Sequence, residues 1–246
     1  MPIRRSTVGT LVVGGAFTAT LAALVYPSIL GVQTTASNPS RIIANTQWGP
    51  LTEGDRDFVV KVRSAGLWEY PLGELTLEKG STPEMKEAGK HLIVGHAGLD
   101  DLCRKIAPML NIALPNQATP QQQQFVATSA AQSGRQFDST AANIMRVTHG
   151  QIFPAIAKIR ASTTNTLVRQ LADLANDTVL DHITVLEKTG VVNFDQVNFQ
   201  QTTPPKLPKD QVTPPPPQPG APIVALTARP DLGINTASPT PAAAAE

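Results

Sequence analysis

Residues 85–110, MKEAGKHLIVGHAGLDDLCRKIAPML, carry the clearest helical pattern in the chain. Steps of four and three residues from Met85 to Leu110 fall on small or apolar side chains, with His96 near the middle as the polar exception. This spacing is typical of a helix that buries one stripe against other helices. A histidine in such a stripe needs a hydrogen-bond partner, a charge partner or a metal ion.

The same spacing recurs in three other segments and predicts helices at about residues 52–80, 119–160 and 167–188. Gly134 interrupts the third of these segments. Proline falls inside the first and third helices, at positions 71 and 154, and predicts a bend in each. Each of the three stripes again carries a group that binds metals or protons: Glu69, His149 and His182.

The four polar side chains meet only if they lie at similar heights along neighbouring helices. At about 1.5 Å per residue, Glu69 and His96 agree within roughly one turn, whereas His149 and His182 differ by about 6 Å. Three imidazoles and one carboxylate suit one divalent ion such as zinc, copper or iron. The pair of Glu-x-x-His motifs that characterises di-iron bundles is lacking, so we predict a mononuclear site at most.

Two other interpretations remain open for these residues. Glu69 can accept hydrogen bonds from one or two histidines in a metal-free network that fixes helix register. Alternatively, the four side chains lie apart and their spacing is a coincidence. Asp100, four residues after His96, either orients that histidine or is a solvated surface acid.

The composition excludes several classes of function. The chain has 246 residues, a net charge of +1 and 16% charged residues. It therefore lacks the excess of basic residues that is typical of proteins that bind nucleic acids. Aromatic residues make up only 4%, which favours helices over a β-sandwich. The single cysteine, Cys103, permits neither an intramolecular disulfide nor a cysteine-based zinc site. We find no phosphate-binding loop, nucleophile elbow or Ser/His/Asp triad, and we therefore assign no enzymatic activity or catalytic residue.

Composition also divides the chain into four parts. Residues 1–33 contain Arg4 and Arg5 followed by a charge-free run from Thr7 to Gln33, as expected for a membrane anchor with a cytoplasmic N-terminus. The alternative is a signal sequence that is cleaved to release a secreted protein. Residues 34–51 are predicted to be a linker and residues 52–190 the helical domain. Residues 191–246 form a proline-rich tail that we expect to be disordered.

Several segments of the helical domain resemble the domain-of-unknown-function 4142 family of bacteria. They are DRDFVVKVRSAGLWEYPLGEL, STPEMKEAGKHLIVGHAGLDDL, MLNIALP, GRQFDSTAANIMRVTHGQIF and LADLANDTVLDHITVLEK. The resemblance implies a secreted or membrane-anchored, ferritin-like four-helix module. It also implies a glutamate at position 69, histidines at 96, 149 and 182, and Phe-Asp at 137–138. The family has no established reaction.

Together these observations predict an all-α protein, an up-down-up-down four-helix bundle of ferritin-like type outside the cytoplasmic membrane. The leading functional hypothesis is binding of one transition-metal ion for metal handling, sensing or stress protection. The alternative is a non-catalytic accessory subunit of a membrane or cell-envelope complex, with structural histidines. A third hypothesis, a redox enzyme that uses the metal, requires an open coordination position that the sequence does not show.

Overall fold

A computed structural model describes residues 38–203 and 206–234 and shows a mostly helical protein. The predicted all-α class is confirmed at this level, while the predicted anchor, residues 1–33, lies outside the described residues. The elements in chain order are β1 (Ile42–Thr46), β2 (Gly49–Thr52), α1 (Glu53–Lys79), α2 (Pro83–Met109), α3 (Pro120–Ala130), α4 (Gly134–Ser162), α5 (Thr166–Lys188), α6 (Phe194–Thr202), α7 (Lys209–Val212) and a 3-10 turn (Pro230–Leu232). Within the two described ranges, no helix has the length and apolar character needed to cross a membrane.

Local sequence explains where the long helices begin. Thr52 caps α1 in a reciprocal capping box with Asp55, and Thr82 caps α2 directly before Pro83. The side chain of Asn165 accepts two backbone hydrogen bonds at the start of α5. Both α1 and α4 continue through their internal prolines, at positions 71 and 154.

The four long helices pack through the predicted stripes. Contacts join α1 with α2, α4 with α5, α2 with α5, and α1 with α4, while α3 lies against α1 and α4. The buried apolar residues form two large clusters, one around Trp68 and Phe137 and the other around Phe58, Cys103 and Leu171. Each long helix passes from one cluster to the other, and the site described below lies at this transition.

Residues 42–52 form an antiparallel hairpin, although we predicted a linker over residues 34–51. Thr46 pairs with Gly49 at the turn, where Gly49 has a φ of 103°, and Leu51 is only 2% exposed. The hairpin is held from a distant part of the chain, because the Asn165 side chain donates to Thr46 Oγ1 at 3.2 Å and to the Gly49 carbonyl at 3.0 Å. Such support is not visible in the local sequence.

The predicted disorder of the tail is wrong for two of its segments. Helix α6 packs on α4 and buries Val197 within the core cluster that contains Trp68 and Phe137. Residues 222–227, which we call the docked tail segment, bond to the long helices: Tyr70 donates to the Thr227 carbonyl at 3.0 Å, and the Leu226 amide donates to Asp100 at 2.9 Å. Extended proline-rich chain has unpaired backbone groups, and here side chains of the long helices satisfy some of them.

Candidate metal centre

The structure brings the four predicted site residues together in the protein interior. Glu69 lies on α1, His96 on α2, His149 on α4 and His182 on α5, and none is more than 3% exposed. One possible ligand atom from each residue lies within 4.8 Å of the others. We call these four residues the polar cluster. The coincidence interpretation, in which the side chains lie apart, is wrong.

Three of the distances inside the polar cluster are close to those of a four-coordinate metal site. Glu69 Oε2 lies 3.0 Å from His96 Nε2 and 3.1 Å from His149 Nε2. His149 Nε2 lies 3.0 Å from His182 Nδ1. Zinc bonds of about 2.0–2.2 Å in a tetrahedral arrangement separate neighbouring ligand atoms by about 3.3 Å. These pairs therefore need only small movements to surround one ion.

Backbone carbonyls fix the tautomers of two histidines. His149 Nδ1 lies 2.7 Å from the Met145 carbonyl oxygen, and His182 Nε2 lies 3.1 Å from that of His91. A carbonyl only accepts hydrogen bonds, so each of these nitrogens carries a hydrogen. When both rings are neutral, His149 Nε2 and His182 Nδ1 face each other as two lone pairs. A proton or a metal cation between them removes the repulsion.

Burial disfavours a proton shared between the two rings. Burial lowers the pKa of His182 well below its usual value, and the neighbouring His96 and His149 lower it further. Burial also lowers the pKa of His149, against an opposing contribution from Glu69. Burial alone would raise the pKa of Glu69, but His149 and His96 outweigh it and the pKa lies below its usual value. These directions favour an ionised Glu69 and a neutral His182.

His96 is held differently from the other two histidines. Its Nε2 contacts Glu69, while its Nδ1 is buried and has no hydrogen-bond partner among the described residues. Within the described ranges no backbone carbonyl bonds to this ring, so its Nε2 either donates to Glu69 or presents a lone pair to an ion. This second state is the one that a metal site requires.

Two polar residues near the cluster have roles that the sequence did not reveal. Asp100 is neither an orienting partner of His96 nor a solvated surface acid, because it is 1% exposed and forms a buried ion pair with Arg63. His91 is half-buried, with Nδ1 2.7 Å from Asp181, outside the polar cluster. Its carbonyl nonetheless orients His182, and sequence reasoning missed this role because every residue carries a carbonyl.

The close approach of α2 and α5 at His182 depends on Gly95. A Cβ atom on this glycine would lie 2.5 Å from His182 Nε2 and 2.8 Å from Thr178 Cγ2. Gly95→Ala is therefore expected to displace His182 and to lower the free energy of unfolding by about 1–3 kcal/mol, the usual cost of overpacking. Urea unfolding monitored by circular dichroism measures the change.

Gly98, one turn further along α2, provides the matched control. An added Cβ there meets no atom within 4 Å. Gly98→Ala is expected to raise the free energy of unfolding by about 0.5–1 kcal/mol, because alanine is the better helix former. Equal effects of the two substitutions would contradict the close packing on His182.

The fold and the site together define a mostly helical protein with a buried centre of three imidazoles and one carboxylate, one from each long helix. The family model described as Domain of unknown function (DUF4142) matches residues 43–188, and the chain belongs to this family. The predicted resemblance is thereby confirmed. Searches of curated proteins and of solved structures found no match.

Proposed function

We propose that this protein binds one divalent transition-metal ion through Glu69, His96, His149 and His182. The observation that carries the proposal is the pair of imidazole nitrogens, His149 Nε2 and His182 Nδ1, that face each other at 3.0 Å while their other nitrogens donate to carbonyls. An ion at this position accepts both lone pairs and neutralises the buried carboxylate. The carbonyls of Met145 and His91 then act as the outer partners that orient metal-bound histidines.

The donor set narrows the choice of ion. Imidazole nitrogen suits zinc, copper and iron. The site has one carboxylate and no thiolate, so it does not select ions that prefer sulfur ligands. A divalent ion with one carboxylate and three neutral imidazoles leaves a net charge of +1 at the centre. We propose a role in metal handling, sensing or stress protection, with the four long helices arranged as a ferritin-like, up-down-up-down bundle.

We further propose that this bundle lies outside the cytoplasmic membrane, tethered by the N-terminal part of the chain. The charge-free run from residue 7 to residue 33 is long enough to span a bilayer, and the two arginines before it favour a cytoplasmic N-terminus. Fractionation of cells that express the full chain, followed by protease accessibility of the bundle, tests this placement. Recovery of the bundle from the cytoplasm would contradict it.

Metal content of the purified full chain tests the metal proposal. We expect about one zinc, copper or iron ion per chain by mass spectrometry, and loss of that ion in His149→Ala. His91→Ala is the matched control, because it removes a histidine outside the polar cluster while its backbone carbonyl remains. Metal added to the chelated parent is expected to stabilise it by about 2.7 kcal/mol when the free ion is at 100 times its dissociation constant.

A metal-free parent whose melting temperature does not respond to zinc, copper or iron would contradict the proposal. In that case, the polar cluster is a protonated network, with a proton held between His149 and His182, and its role is to fix helix register. The protein would then be an interaction module of a membrane or cell-envelope complex.

A further inference from the structure

A cavity of about 370 Å³ lies directly beside the polar cluster. Glu69, His96 and His149 form one part of its lining, and the rest is mainly apolar, with Phe58, Phe125, Ile152 and Val179 among the contributors. This volume is in the range of small-molecule sites, which are apolar pockets with a few placed polar groups. The short tail segment 209–214 also contributes to its wall.

Lys61 is a half-buried cation of the cavity lining, whereas Lys209, which also lines the cavity, is exposed. Within the described residues, Lys61 forms no hydrogen bond and no ion pair. Burial lowers its pKa to about 8, although Asp57 opposes the shift, so the amine is charged at neutral pH but poorly solvated. The nearby acids already have partners, because Asp57 pairs with Arg56 and Glu53 pairs with Arg41.

Trp68 adds a second donor without an acceptor. Its side chain lines the cavity, is only 1% exposed, and has no hydrogen-bond partner for Nε1 among the described residues. Lys61 and Trp68 are seven residues apart on α1, which places them on the same face of the helix and about 10 Å apart along its axis. The cavity lining therefore holds a cation and an indole N–H that lie about two helical turns apart on α1.

We propose that this cavity binds a small carboxylic acid of about ten carbons with an apolar chain. Its carboxylate pairs with the Lys61 ammonium, and its chain lies along the apolar wall towards Trp68 and Phe125. Charge complementarity selects the carboxylate, because Lys61 is half-buried in the lining and forms no ion pair among the described residues, while Asp57 is paired with Arg56. The proposal does not depend on a metal ion in the adjacent centre.

Decanoate is the probe, and Trp68 is the reporter. The full chain contains two tryptophans, so Trp48→Phe leaves Trp68 as the sole indole, and Trp48 lies in the hairpin outside the cavity lining. We expect saturable, one-site binding of decanoate in a fluorescence titration, repeated by calorimetry. Decanol, with the same chain and no charge, is expected to bind about tenfold or more weakly.

Three variants in this background make the test specific. Lys61→Met removes the charge and keeps an apolar side chain of similar length. It is expected to lower the affinity for decanoate by about tenfold or more and to leave the affinity for decanol unchanged. Lys105→Met is the control, because Lys105 is exposed and pairs with Asp101 at 2.7 Å. Ile152→Phe adds bulk to the cavity wall without adding an indole, and it is expected to weaken binding of both probes.

Failure of decanoate to bind the parent would overturn the proposal. Equal affinities of decanoate and decanol, or of the parent and Lys61→Met for decanoate, would overturn the assignment of a carboxylate. Metal content is measured on every sample. An ion-loaded protein that does not bind decanoate contradicts this inference alone, and a metal-free protein that binds it contradicts the metal proposal alone.

Discussion

Arg63→Met is expected to lower the free energy of unfolding by about 3–5 kcal/mol, the usual cost of leaving one member of a buried ion pair without its partner. The Arg63 side chain is fully buried and pairs with Asp100. It also donates to the Pro115 carbonyl at 3.1 Å and to the Val224 carbonyl at 2.6 Å. Loss of the guanidinium therefore leaves a buried carboxylate with fewer partners and two carbonyls without this donor.

Urea unfolding compares this variant with Arg160→Met, which breaks an exposed pair with Asp173. The side chains of that pair are 42% and 46% exposed, so its loss is expected to cost less than about 1 kcal/mol. Replacing both members of the buried pair, with Arg63→Met and Asp100→Leu together, is expected to recover much of the lost stability. A cost below about 1 kcal/mol for Arg63→Met would show that the pair contributes little.

The same substitution tests how the tail is attached. The docked tail segment bonds to Arg63 and Asp100, and Asn116 exchanges hydrogen bonds with it through the Pro222 carbonyl and the Val224 amide. We expect faster amide hydrogen exchange at residues 222–227 in Arg63→Met, because the segment opens locally more often once its hydrogen bond to Arg63 is lost. Unchanged exchange there would mean that the remaining bonds suffice.

The sequence predicted the polar cluster well because helix periodicity is a local signal. Each of the four residues occupies the buried stripe of its own helix, and burial follows from the spacing of the neighbouring apolar residues. The predicted offset of about 6 Å between His149 and His182 overestimated the difference. Helix α4 ends at Ser162 and α5 begins at Thr166, which reduces the offset to about 4.5 Å, within the reach of two side chains.

Features that depend on distant parts of the chain were not predictable in this way. The sequence around Arg63 does not distinguish it from a surface arginine. Its side chain is covered in part by residues 222–227, more than 150 positions away. The hairpin at residues 42–52 is likewise held by Asn165. A proline-rich composition correctly indicates that a segment cannot form its own core, but it does not exclude docking on the core of another segment.

Glu69→Gln is expected to weaken metal binding by more than about 100-fold. Loss of an outer partner of a metal ligand already costs about 10–100-fold, and this substitution replaces a ligand and removes the only negative charge of the centre. Glutamine has nearly the same shape, so the metal-free protein is expected to keep its stability within about 1–2 kcal/mol. Metal titrations monitored by melting temperature, with the chelated variant as reference, measure both quantities.

This substitution separates the two interpretations of the polar cluster, because they predict different costs in stability in the absence of metal. If Glu69 and His149, 3.1 Å apart, form a protonated ion pair that fixes register, removing the carboxylate leaves a buried cation and costs about 3–5 kcal/mol whether or not metal is present. If the cluster is a metal site, the metal-free variant keeps its stability, and only the rise in melting temperature on adding metal is lost. Glu87→Gln is the control, since that acid lies on the surface of α2 and pairs with Lys90 at 2.9 Å. This control is expected to change neither the metal affinity nor the stability of the metal-free protein, because exposed pairs contribute little to stability and Glu87 lies outside the cluster.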